Sequence, residues 1–151
     1  MADYDFSDKE LLKLADDLEK MSEAVPKLTK KFLNKEGTKL KSAVKKLAKT
    51  RLRVDSGNYM KHLKRGKPYQ YKGVDWSIRV YNAAKHAHLL EDGHDILARG
   101  KKGKKQKKGT GKKVGYKNGY HIHADAERRF VNTYVKDAMD FLDDVLDEGK
   151  W

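Results

Sequence analysis

Apolar residues recur every three to four positions along two long stretches of the chain, and alternate with polar ones in a short stretch between them. Leu11, Leu14, Ala15, Leu18 and Met21 mark the first helical run. Ser7-Asp8-Lys9-Glu10 ahead of it is a capping box, a hydroxyl followed three residues later by a carboxylate. The spacing predicts a helix over 7–21. Ser22-Glu23-Ala24-Val25-Pro26 then interrupts or restarts it, because Pro26 suits a first helical turn. Leu28, Phe32, Leu33, Leu40, Val44 and Leu47 predict a further helix over 25–50, with a weak point at Gly37. Near the C-terminus Phe130, Tyr134, Ala138, Phe141 and Val145 form one stripe. Val131, Val135, Leu142 and Leu146 widen it into a face suited to packing on a sheet. That pattern predicts a helix over 124–148.

The middle of the chain reads as turns and strands. Asp55-Ser56-Gly57 is turn chemistry, and Tyr59 to Leu63 begins either a strand or a short helix. Gly66-Lys67-Pro68 is a second turn. Val74 to Tyr81 alternates in the period of a half-buried strand, with Tyr69 and Tyr71 on a paired strand before it. His86 to Asp92 suits one or two helical turns stopped by Gly93. Gly119 to His123 reads as a short strand. The expected fold is α+β: two long amphipathic helices packed on a short antiparallel sheet, with a long basic loop. The whole of 1–151 is expected to be a single domain. Its parts are a helical section (7–50), a turn and sheet section (55–98), a flexible basic loop (99–118) and a C-terminal helix (124–148).

Composition sharpens this picture in two ways. Apolar residues and charged residues each make up 38% of the 151, so the core is thin. Mean hydropathy is −0.93, but the polarity is concentrated. From Arg99 to Lys117 there are ten basic residues and no acidic one: Arg99, Lys101, Lys102, Lys104, Lys105, Lys107, Lys108, Lys112, Lys113 and Lys117. Five glycines interleave with them. Nothing in that run buries apolar surface, so a flexible loop is expected. Net charge is +13, and such a surface attracts polyanions through a sequence-independent term. There is no cysteine, which excludes disulfides and thiolate metal sites. No apolar run approaches a membrane span, and Met1-Ala2-Asp3-Tyr4-Asp5 lacks the features of a signal peptide. Synthesis in a cytosol is expected, with use there or in a particle built there.

Two short segments carry a family resemblance. The first is Val54-Asp55-Ser56-Gly57-Asn58-Tyr59-Met60-Lys61, after the long helical pattern. The second runs from Tyr81 to His94 and contains His86-Ala87 and Leu90-Glu91-Asp92-Gly93. In this order, ahead of an acidic C-terminal helix containing Phe130, they resemble the gene-product-ten-like family of Hong Kong-type long-tailed bacteriophages. Its members are head–tail joining, neck or tail-completion proteins. Val54, Asp55, Ser56, Gly57, Ala87, Glu91 and Gly93 stand at the family's motif positions. Ser56 replaces a threonine, His86 an aromatic residue, and His94 a small hydroxyl residue. From the residues alone, Asp55 suits a turn, Gly57 a positive φ, and Glu91 a cap or a basic partner.

Other constellations have plainer readings. The basic run suits contact with DNA phosphates or an acidic neighbouring subunit, against the bland alternative of a solvated loop. Gly109-Thr110-Gly111-Lys112-Lys113 lacks phosphate-loop spacing. His86, His88, His94, His121 and His123 include two His-x-His pairs, but none has metalloprotease spacing, and no metal is assigned. No cofactor fingerprint and no catalytic set is present, so no enzyme and no cofactor is expected. The resemblance implies a phage or prophage virion protein at the head–tail junction. Its expected partners are other neck or tail proteins and further copies of itself in a ring, with sequence-independent DNA contact and no membrane. The alternative is a stand-alone basic nucleic-acid-binding module.

Overall fold

The computed structural model describes residues 8–53, 57–98 and 111–147. Ser7, Val54, Asp55 and Ser56 lie outside the described residues, as do Arg99, Lys101, Lys102, Lys104, Lys105, Lys107 and Lys108. The elements in chain order are α1 (Asp8–Arg51), α2 (Asn58–Lys61), β1 (Leu63–Arg65), β2 (Tyr69–Tyr71), β3 (Asp75–Ser77), β4 (Val80–Asn82), α3 (Ala87–Glu91), β5 (Gly93–Leu97), β6 (Lys113–Asn118) and α4 (Ile122–Asp147). The class is α+β, with two long helices and three two-stranded antiparallel ribbons.

Five expectations change. The break at 22–26 is absent: α1 is one helix of 44 residues with Pro26 inside it. An internal proline forfeits one backbone hydrogen bond and costs about 3 kcal/mol. Here Leu18, Met21, Val25, Leu28 and Phe32 keep one unbroken three-to-four spacing across it, so a single helix presents a continuous apolar stripe.

The single sheet is instead three ribbons, β1 with β4, β2 with β3, and β5 with β6. The strand expected over 74–81 is split into β3 and β4. Opposite the split lie Gly66-Lys67-Pro68, where Pro68 has no N–H to donate to a ladder. Lys113 to Asn118, assigned by composition to the flexible loop, forms β6 against β5, and Lys113 Nζ lies 2.6 Å from Asp95 Oδ1. The short strand expected over 119–123 does not form. The N–H groups of Tyr120 and His121 donate to the carbonyls of Leu90 and Glu91 at 2.7 and 3.2 Å, and α4 begins at Ile122.

The chain divides into two compact units. One takes in Met1–Lys39, Gly66–Arg79 and Val131–Trp151; the other takes in Leu40–Arg65 and Val80–Phe130. In the first, Phe32 stacks on Phe141 at 4.7 Å between ring centroids and meets Tyr134 at 5.9 Å. Leu33 and Val145 are buried there. Glu36, only 2% exposed, lies beside the Lys39 ammonium at 2.9 Å, and Lys39 also pairs with Asp137 at 2.5 Å. The hydrogen bond from Lys39 holds the Asp137 carboxyl below the usual aspartate range. In the second unit, Val44, Ala48, Tyr59, Leu63, Ala87, Ile122 and Ala126 form the core.

Ile122 is fully enclosed at 0% exposure. Ile122→Ala is expected to cost about 2–5 kcal/mol, the lost transfer energy plus a cavity. Leu146→Ala, at a position 68% exposed, is expected to change stability by less than about 0.5 kcal/mol. Chemical denaturation of both variants measures the contrast. Equal effects would contradict this assignment of the core.

Candidate functional site

The two motif segments meet in the second unit. Gly57 caps α2 in the left-handed conformation, at φ 66°, where a side chain is disfavoured. The turn this permits sends Tyr59 inward. Its hydroxyl donates to Glu91 Oε1 at 2.5 Å. The other carboxylate oxygen, Oε2, accepts the His123 backbone N–H at 3.2 Å. That N–H is one of the unpaired donors of the first turn of α4, so Glu91 acts as a cap supplied from another element. Its negative charge also complements the positive end of the α4 dipole.

Further bonds hold the same corner. Asn82 Nδ2 donates to the Tyr59 carbonyl at 2.9 Å, and Asn82 Oδ1 accepts the Ala84 N–H at 2.9 Å. Arg51, near the end of α1, donates to the Tyr120 carbonyl at 2.7 Å and pairs with Asp125 at 2.6 Å. The hydrogen bond from Arg51 draws the Asp125 carboxyl below its ordinary value. Gly93 sits at φ 88°, and a Cβ there would meet the Lys117 carbonyl. Tyr116 Oη donates to the Asp92 carbonyl at 2.7 Å. Burial, together with the adjoining Glu91 carboxylate, pushes the Tyr59 hydroxyl well above the usual tyrosine value of 10.0.

Beside this corner lies a cavity of about 390 Å³. Leu52, Met60, Ala84, Ala87 and Leu90 give it apolar walls, and Tyr59 and Tyr120 contribute to the lining. Arg53, His86 and Lys117 also line it, and among the described residues no acidic side chain does.

Of the sequence-selected residues, Gly57, Ala87, Glu91 and Gly93 are thus brought together, and Lys117 joins them across β6. Lys113 is placed elsewhere on β6, paired with Asp95. The carbonyl of Lys112 accepts the Ala98 N–H at 2.8 Å. The histidines are dispersed: His86 precedes α3, His88 lies within it, His94 is on β5, and His121 and His123 flank the start of α4. Among the described residues no three His, Cys, Asp or Glu side chains are grouped to hold a metal ion. Sequence reading missed Tyr59, Asn82 and Arg51 as members of the site. The signal for Tyr59 was a large aromatic phenol directly after the Gly57 turn, since a buried tyrosine hydroxyl needs an acceptor.

Tyr59→Phe is expected to cost about 1.5–3 kcal/mol, the range for a hydrogen bond to a charged acceptor. A double-mutant cycle with Glu91→Gln should show coupling between the two positions, and additive effects would contradict the bond. The folded protein holds the Tyr59 proton more tightly than the unfolded chain. Its contribution is therefore complete below pH 10.0 and falls as pH rises above that value. Urea denaturation across alkaline pH should show a steeper loss for the natural chain than for Tyr59→Phe.

Comparison with known proteins agrees with this architecture. The family model described as "Bacteriophage HK97-gp10, putative tail-component" matches residues 13–93, more than half of the 151-residue chain. No curated protein and no solved structure matches. The matched span runs from within α1 through both motif segments and stops at Gly93, so the lysine run and α4 lie beyond it. With Gly57, Tyr59, Ala87, Glu91 and Gly93 converging on one corner inside that span, the chain belongs to the HK97-gp10-like family of bacteriophage tail components.

Proposed function

We propose that this tail component is a structural subunit of the head–tail junction, acting in neck or tail completion by assembling into or onto a ring in the virion. The observation that carries the reading is an apolar stripe on α4 left facing solvent: Val131, Val135, Met139, Leu142 and Leu146, from 44% to 68% exposed. These residues recur at three-to-four spacing, on a different side of the helix from Phe141 and Val145. A fully buried aliphatic side chain contributes about 1.5–3 kcal/mol, so covering half of this stripe would contribute on the order of 5 kcal/mol before association costs. Head-to-tail contacts between identical subunits close into rings when the rotation permits.

The lysine run supplies the second element of the reading. It leads from β5 into β6, with Lys113 and Lys117 on β6 itself, and its basic residues suit DNA phosphates or an acidic surface on a neighbouring tail protein. Contact of this kind needs no base reading. The protein works as a shaped part of the particle, with no catalytic step. No helix among the described residues is long and apolar enough to cross a membrane, in keeping with a place in the virion.

Mass measurement across a concentration series, with electron microscopy of the product, tests the assembly. Oligomers are expected for the natural chain. Val135→Lys and Leu142→Lys should each weaken self-association by about tenfold or more, with helical content unchanged by circular dichroism. A chain that remains monomeric alone and with tail proteins would overturn the reading. Sub-micromolar DNA binding by that monomer at physiological salt would support the stand-alone nucleic-acid-binding module instead.

A further inference from the structure

We infer that the cavity beside Tyr59 is a docking site for an acidic–aromatic segment, residues 3–6 of a second copy of this chain. This rests on the assembly reading above and names one contact by which it would occur.

The cavity asks for a ligand of two characters. Its walls are aliphatic, from Leu52, Met60, Ala87 and Leu90, and its volume of about 390 Å³ lies in the range of pockets that enclose a ring-sized group. Its lining also includes the cationic residues Arg53 and Lys117, and His86. Among the described residues no carboxylate lines the cavity. Arg53, His86 and Lys117 are all exposed. Lys117 Nζ lies 5.8 Å from the centroid of the Tyr120 ring, which keeps its charge at the border rather than out in solvent. An anionic ligand gains charge-assisted hydrogen bonds there, and an aromatic ring fills the apolar interior.

The sequence contains one strictly alternating run of this chemistry, Asp3-Tyr4-Asp5-Phe6. In an extended segment, successive side chains point to opposite sides. Tyr4 and Phe6 would enter the cavity while Asp3 and Asp5 stay at the border near Arg53 and Lys117. The acidic residues of α4, by contrast, are spread along a helix whose aromatic rings Phe141 and Tyr134 already pack on Phe32.

The test uses the chain with residues 2–7 deleted, which keeps every described helix and strand, and a synthetic peptide of residues 1–8. Fluorescence anisotropy should show saturable binding that weakens with added salt. Replacing Tyr4 and Phe6 of the peptide by alanine, or making Arg53→Glu or Lys117→Glu in the chain, should each weaken binding by about tenfold or more. No saturable binding, or binding indifferent to the cavity substitutions, overturns the inference. Because the natural chain has no cysteine, Phe6→Cys and Met60→Cys variants can be mixed under mild oxidation. A disulfide between the two different chains supports docking in trans. A purely intramolecular disulfide in the double variant overturns it. The two readings fail separately: self-association that survives deletion of residues 2–7, with no peptide binding, sinks only this inference. Peptide binding by a chain that never oligomerises sinks the assembly reading and leaves the cavity's ligand chemistry standing.

Discussion

One carboxylate organises the second unit. Glu91 receives a hydroxyl from α2 and a backbone N–H from the first turn of α4, so it joins elements that are more than thirty residues apart on either side. A carboxylate in this position is 17% exposed and would be costly without donors. The two bonds meet that requirement and set the direction in which α4 departs. The conformations around it follow from the same need. Gly57 turns the chain so that Tyr59 points inward. Gly93 and Gly119 allow the strand and the loop after it to approach the end of α3, where a Cβ at Gly119 would run into the Glu91 carbonyl. Gly57, Tyr59, Glu91 and Gly93 thus serve one largely enclosed polar bond in a small core.

The first unit solves a related problem differently. Glu36 is enclosed beside Phe32 and Leu33 on α1, and the Lys39 ammonium stands between it and Asp137 of α4. A buried ion pair gains little over a well-packed apolar pair, because desolvation offsets most of the attraction. Removing one partner is a different matter, since it leaves a charge uncompensated. Such a group specifies how helices meet more than how tightly they hold. It leaves the apolar positions on the outer side of α4 without an internal partner. The first unit thus combines ionic specification between its helices with an exposed apolar stripe on α4.

The basic run belongs to a third kind of device. It joins two strands whose exposed residues include the apolar Ile96, Leu97, Val114 and Tyr116. The ribbon therefore offers both charge and apolar surface to whatever it meets. Long-range attraction by the lysines would bring a polyanionic partner close, and screening by salt would limit that attraction to short distances.

Much of the architecture was legible along the chain. The long helices followed from three-to-four spacing, the β2–β3 pairing from alternation around Tyr69 to Tyr81, and the end of α3 from Gly93. The turn at Gly57 was legible because only a few residue types tolerate its backbone. Three features were not. Pro26 argued for a break that the continuous stripe on either side overrode. The composition of 99–118 hid β6, whose strand character comes from the edge of β5 rather than from its own residues. Glu91 read equally well as a cap or as a partner of a basic residue. Local patterns are set by interactions between near neighbours, and the sequence by itself therefore determined which segments are helical, where the turns fall and where positive charge gathers. The bond from Tyr59 to Glu91, the cap on α4 and the gathering of Arg53, His86 and Lys117 around one cavity depend on residues distant in sequence meeting in space, and only the tertiary structure decided those.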